Sequence, residues 1–170
     1  ACRAALRCQK RLTERREEFR QAYGHEVRMR VGLNSGPAVV GNMGSERRFD
    51  YTAMGDTMNL ASRLEGAGKV YGVSMLAGEE TERRVRDAIL TREVDVIRVV
   101  GKAQPVRIYE LIGEKDSVAA DAVEKADRFG RALESYRARR FAEAGAAFAS
   151  MAGDPVAALY VERASRYAAE

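Results

Sequence analysis

The sequence predicts an α/β protein, α+β in arrangement, in which strands and helices mix up to about Gly113 and helices alone follow. Three observations carry this. The stretch "EVRMRVGLNSG" sets Val27, Met29, Val31 and Leu33 in alternation with Arg28 and Arg30, the period of a strand with one buried face. The stretches "ILTREVDVIRVVG" and "VRIYELIG" read as two further strands, with "GKAQP" between them as a hairpin loop. After Gly113 β-branched residues become rare, and Ala, Arg and Glu give the chain the composition of helix.

The elements follow in order. Ala1 to Tyr23 reads as one helix, with Ala5, Leu6, Leu12, Phe19 and Tyr23 near helical spacing and Gly24 as its stop. "NSGP" then reads as a turn and "AVVGNMG" as a returning strand, so that the two strands form a β-hairpin. Gly32, Gly36, Gly41 and Gly44 crowd this region and point to bulges or to close approach by another backbone or a ligand. "SERRFDYTAMGD" reads as a loop or short extended stretch. A helix begins at Thr57, capped by Asp56 or Thr57, and runs to Gly66. "VSMLAG" is a short strand, and "GEETERRVRD" a short helix whose acids sit at its N-terminal end, as the helix dipole favours. Beyond Gly113, three helices are expected. Phe141, Ala144 and Phe148, followed by Gly153-Asp154-Pro155, are similar to one tetratricopeptide-type hairpin. The expected division is 1–113 and 114–170.

Bulk properties exclude several function classes. The 170 residues hold no apolar run of membrane-spanning length and no secretory leader. The opening at Ala1 reads as mid-helix, and a piece of a longer protein is expected. Its 29 basic and 25 acidic residues are mixed along the chain, without interleaved stacking aromatics, so a solvated surface is expected and no nucleic-acid partner. Cys2 and Cys8 lack a CxxC or Cys/His frame and read as thiols of a cytosolic protein, and the lone His25 excludes a multi-histidine metal site.

The chemistry concentrates in "FDYTAMGDTMNLASRLEGAG". If residues from Thr57 are helical, Asn59 and Arg63 project from one face. Each has a plain reading, Asn59 as a cap and Arg63 as a surface cation. Together, near a helix start that favours anions, they suit a phosphate: an arginine stabilises spread negative charge on phosphorus, and an amide orients a sugar oxygen. Arg47 and Arg48 add positive charge just upstream.

The "VGLNSG" strand, the "GNMG" turn, "YTAMGDTMNLASRLE" and the later "VVGKAQPVRIYEL" hairpin resemble the C-terminal half of the class III nucleotidyl cyclase catalytic domain, over residues 1–113. The Gly-Asp-x-x-Asn-x-x-x-Arg core is the most specific part. The resemblance implies a ferredoxin-like antiparallel sheet, incomplete at its N-terminal end, with helices on one side. It implies that Asn59 and Arg63 stabilise the transition state as the ribose 3′-hydroxyl attacks the α-phosphate and pyrophosphate leaves. It places Thr52 at the purine, tilting the choice toward ATP; alternatively the Thr52 hydroxyl serves the strand backbone. Arg47 and Arg48 would meet the phosphates. Val100 stands where the family often has a phosphate-binding lysine, and Lys102 either substitutes for it or is a solvated loop residue.

The resemblance further implies two Mg²⁺ or Mn²⁺ ions held by two aspartates. Both would lie upstream of Ala1, so no metal ligand is expected in this chain, and the chain alone would be inactive. It implies a second cyclase domain as partner, as a homodimer, because the active site forms between two domains. The expected parent is an adenylate cyclase, a lyase making 3′,5′-cyclic AMP in the cytoplasm for intracellular signalling, with any membrane attachment lying elsewhere in that protein. Two rival readings stay open: a degenerate cyclase-like regulatory or nucleotide-binding subunit, and a protein-interaction module working through a partner of the helical tail.

Overall fold

A computed structural model describes residues 1–45, 48–98 and 104–169. The expected first helix is two: α1 (Cys2–Glu14) and α2 (Arg16–Tyr23) meet at Arg15, whose φ of −101° and ψ of 12° leave the helical range. Burial explains the break. Cys2 and Ala5 anchor α1, whereas α2 buries nothing, so no packing holds both on one axis. Gly24 ends α2 in the left-handed conformation, φ 74°, as its composition suggests.

The expected hairpin of the first two strands does not form. The alternating stretch is strand only over β1 (Val31–Leu33), which pairs in parallel with β4 (Met75–Gly78) through Gly32↔Leu76. Strand β2 (Val39–Ser45) pairs instead with β3 (Arg48–Met54), from Val39↔Met54 to Ser45↔Arg48, where a loop was expected. The physical reason lies in β3 itself. Phe49, Tyr51 and Ala53 alternate with Asp50, Thr52 and Met54, a period-two pattern beside a seven-residue partner strand.

Helix α3 (Asp56–Tyr71) outruns its expected end at Gly66, because its buried stripe Leu60, Leu64, Gly68 and Tyr71 continues at helical spacing. It stops at Gly72, φ 68°. Its N-cap is Gly55, with no side-chain cap from Asp56 or Thr57. Helix α4 (Glu79–Val85) leads to the antiparallel pair β5 (Ile89–Ile97) and β6 (Val106–Glu114). Among the described residues the main sheet runs β1-β4-β6-β5, and only its β1–β4 pair is parallel.

Helices cover both faces of this sheet, not one. Met75, Ala77, Ile89 and Leu111 pack with Cys2 and Ala5 of α1. Leu76, Val94 and Ile108 point the other way, as strand alternation requires, and meet Leu60 and Leu64 of α3. That second cluster continues into the three expected tail helices, α5 (Ala120–Arg137), α6 (Phe141–Ala149) and α7 (Pro155–Ala168). Phe129, Phe148 and Tyr160 form its aromatic centre, with ring centroids 4.9–6.0 Å apart. Segments 1–113 and 114–170 therefore share one buried cluster. Asp154 caps α7 through the backbone N–H groups of Val156 and Ala157, at 2.9 and 3.1 Å, and turns its carboxylate to Arg92 on β5, which also binds Glu110 on β6 at 2.6 Å.

Candidate active site

The site is built on α3 and on what holds it. Leu60 and Leu64 are 6 % and 0 % exposed, and each directly follows one of the two residues of interest, Asn59 and Arg63. Burying the leucines turns Asn59 outward, exposed, and leaves Arg63 half-buried beside it. The two lie one turn apart, about 6 Å along the axis. Among the described residues neither side chain has a hydrogen-bond or ion-pair partner.

A second grip comes from β1. A Cβ placed on Gly32 would stand 1.9 Å from the carbonyl oxygen of Ala61 and 2.5 Å from the backbone nitrogen of Glu65. Only glycine lets the strand touch the helix there, against the Ala61–Glu65 turn, on a different side of α3 from Asn59 and Arg63. This is the close backbone approach that the glycine crowding suggested. The loop after β1 ties down the start of α3. The Asn34 amide donates to the Thr57 carbonyl at 3.2 Å, and the Thr57 hydroxyl donates to the Pro37 carbonyl at 2.6 Å. Gly36 leaves room for that hydroxyl, since a Cβ there would stand 2.6 Å from it. Gly55 enters the helix at φ 133°, a conformation that favours glycine.

Thr52 sits on β3 opposite Gly41 and is exposed. Strand alternation puts it on the same face of the hairpin as Val39 and Met54. The backbone-bonded alternative for its hydroxyl finds no such bond among the described residues. The hairpin is strongly apolar for a surface element: Val39, Val40, Tyr51 and Met54 are 55–77 % exposed. Of the remaining candidates, Arg47, Val100 and Lys102 lie outside the described residues, and so does the side chain of Arg48.

The far end of α3 carries a polar group that reading the sequence missed. The Tyr71 hydroxyl donates to Asp95 on β5 at 2.6 Å, and Arg163 on α7 donates to the same carboxylate oxygen at 2.6 Å. Burial and the adjoining carboxylate push the Tyr71 phenol up to about 12. Burial also works to raise Asp95, but the bonds from Arg163, Tyr71 and the Val96 N–H outweigh it and hold that carboxyl below its usual value. No local pattern marks these three residues. Asn34 was legible only as part of the turn "NSGP" and of the "VGLNSG" stretch.

Residues 2–113 match the adenylate and guanylate cyclase catalytic domain. The chain belongs to that family. It is 41 % identical over 113 residues to adenylate cyclase 1 of Rhizobium meliloti (strain 1021), an alignment that covers 66 % of this chain and 17 % of that protein. The crystal structure of the adenylyl cyclase CyaB from P. aeruginosa superposes with a TM-score of 0.58 at 32 % identity, over 67 % of this chain and 58 % of that one. The catalytic core of a rhodopsin-guanylyl cyclase with converted specificity, in complex with ATPαS, gives a TM-score of 0.51 at 26 % identity, over 65 % of this chain and 58 % of that one. The chain thus spans a small part of its curated cyclase relatives, 7–22 % of three of them.

Cyclases of this family generally use divalent metal ions. Among the described residues no three of His, Cys, Asp and Glu converge as a metal would need. Asp95, at the far end of α3, is engaged by Tyr71 and Arg163.

Proposed function

We propose that the protein containing this chain is a class III adenylate cyclase, converting ATP to 3′,5′-cyclic AMP and pyrophosphate. The observation that carries this reading is the presentation of Asn59 and Arg63. They are unpartnered among the described residues, one turn apart, on a helix gripped by the core on one side and by Gly32 on another. A helix held this firmly can aim two side chains at one phosphate without reorganising during reaction.

In this reading Arg63 meets the negative charge that develops on the α-phosphate as the ribose 3′-oxygen attacks and pyrophosphate departs. Asn59 orients the ribose. Thr52, on the hairpin, offers its hydroxyl to the adenine edge, and Arg47, Arg48 and Lys102 supply charge for the phosphates. Two divalent ions would activate the 3′-hydroxyl and hold the triphosphate, bound by carboxylates outside these residues, so the chain by itself is inactive. The exposed apolar hairpin supports a second cyclase domain as partner, since Val39, Tyr51 and Met54 gain from being covered. Among the described residues no helix is long and apolar enough to cross a membrane. We place this part of the protein in the cytoplasm, where ATP is. The expected division at 113 marks the end of the catalytic part.

The test is steady-state kinetics of the full protein with ATP and with GTP. Asn59→Ala and Arg63→Ala should each lower kcat by about 100-fold or more with KM changed little, the signature of groups acting on the transition state. Nucleotide binding with no turnover in the unaltered protein would overturn the reading in favour of a regulatory subunit.

A further inference from the structure

The helix that carries the site ends against the helical tail. Tyr71, the last residue of α3, shares Asp95 with Arg163 of α7, each bond being 2.6 Å long. The Arg163 guanidinium also lies over the Tyr71 ring, 5.9 Å from its centroid, and over the Tyr160 ring at 5.1 Å. The Tyr160 hydroxyl donates to the Val94 carbonyl at 3.0 Å, which fixes the strand beside Asp95. Gly72, the residue that stops α3, also lies against the tail. A Cβ on Gly72 would stand 2.7 Å from Cβ of Pro155, the first residue of α7. The start of α3 is held by the loop after β1 and its middle by Gly32, while this end is held by α7 and by the strand that α7 braces.

We propose that Arg163 is a positioning residue. From α7 it locks Asp95 onto Tyr71, and so sets how α3 presents Asn59 and Arg63. Arg63 lies two turns from Tyr71, about 12 Å along one stiff helix. A tilt released at Tyr71 is carried to Arg63 by the helix itself. Asp95 is 18 % exposed and Arg163 29 %, so the contact is partly shielded from water and from salt. The tail is then part of the apparatus that aims the reactive face, and whatever loosens α7 lowers turnover. The effect on turnover rests on the cyclase reading above; the effect on the helix does not.

The experiment uses the full protein with Arg163→Met, Tyr71→Phe and the double variant. Hydrogen exchange is followed across α3, and kcat and KM are measured with ATP. Each single variant should raise amide exchange in the last two turns of α3 by about tenfold, the scale of one lost hydrogen bond to a charged group. Each should also lower kcat by about tenfold with KM within about twofold. The double variant should be no worse than either single one, because both act through Asp95, and Arg163→Lys should restore part of kcat. Unchanged exchange in α3 overturns the proposal, as does faster exchange with kcat intact. Should Arg163→Met fail to fold, Tyr71→Phe keeps the ring packing and decides alone. If the unaltered protein turns over neither ATP nor GTP, the cyclase reading fails, and exchange in α3 by itself decides whether the lock exists.

Discussion

Replacing Gly32 with alanine tests the link between fold and site most directly. The added methyl would stand 1.9 Å from the Ala61 carbonyl oxygen and 2.5 Å from the Glu65 nitrogen, and both neighbours are backbone. Neither can rotate away, so strand and helix must part. Reaching even a 3.4 Å contact needs a displacement of about 1.5 Å, from the separations given. Overpacking of this kind costs about 1–3 kcal/mol. For a chain of this size that is roughly 2–12 °C in Tm, at about 2–4 °C per kcal/mol. The displacement falls on the Ala61–Glu65 turn of the helix that carries Asn59 and Arg63, and misplacing catalytic groups by about 1 Å can cost about 100-fold in rate. Circular dichroism against temperature and turnover of ATP by the full protein check both arms. Gly66→Ala is the control: it lies in the same helix with nothing within 4 Å of the added methyl. It should gain about 0.5–1 kcal/mol from helix propensity and leave turnover alone. A Gly32→Ala protein with normal Tm and normal kcat would refute the contact and the positioning argument together.

Three further outcomes follow from the same contacts. Asp154→Ala removes the cap of α7 and a partner of Arg92, which is 10 % exposed; it should cost about 2–3 kcal/mol in denaturant unfolding, more than a cap alone. Asp154→Asn keeps an N-cap oxygen but loses the charge, so it should lose less than Asp154→Ala; equal losses would count against the cap, and no loss in Asp154→Asn would count against the ion pair. The Tyr71 phenol is raised from 10.0 to about 12, so its contribution is complete below pH 10 and disappears as pH rises toward 12. Stability should fall by roughly 2–3 kcal/mol over that window, and Tyr71→Phe should flatten this part of the profile; an identical slope in the variant would show that Tyr71 is not responsible. Met54→Glu on the exposed hairpin should shift the cyclase domain toward monomer in sedimentation experiments and lower turnover with it, whereas an unaltered oligomeric state would move the dimer contact elsewhere.

The sequence disclosed what is local. The strands around Leu76, Val94 and Ile108, the start of α3 and the three tail helices follow from periodicity and from Gly and Pro, and so does the shared face of Asn59 and Arg63. What it concealed is pairing over distance. Val31 and Val39 are close in the chain, yet one pairs beside Met75 and the other beside Met54. The choice depends on α3 lying over Gly32, which no short window contains. The same holds for Tyr71, Asp95 and Arg163: their meeting requires α3, β5 and α7 to pack first, and each alone reads as an ordinary surface residue. The early stop given to α3 arose because Gly66 weakens a helix by propensity, whereas burial of Gly68 and Tyr71 carries it on.

The division of roles between helix and hairpin leads to a last prediction. Asn59 and Arg63 belong to an element fixed along its length, while Thr52 belongs to a two-stranded ribbon whose side chains at Val39, Tyr51 and Met54 are mostly exposed. Rate should therefore depend on the helix, and choice of base on the hairpin. Thr52→Val keeps the shape of the side chain and removes its hydroxyl. The residue is exposed and its hydroxyl is unpartnered among the described residues, so Tm should hold within about 1 °C, as surface substitutions usually allow. If the hydroxyl reads adenine, kcat/KM for ATP should fall about 3–10-fold, the worth of one neutral hydrogen bond, while the value for GTP changes little. Competition between the two nucleotides measures the ratio directly. Equal losses for ATP and GTP would assign Thr52 to the frame of the hairpin, and base selection would then have to come from the partner domain.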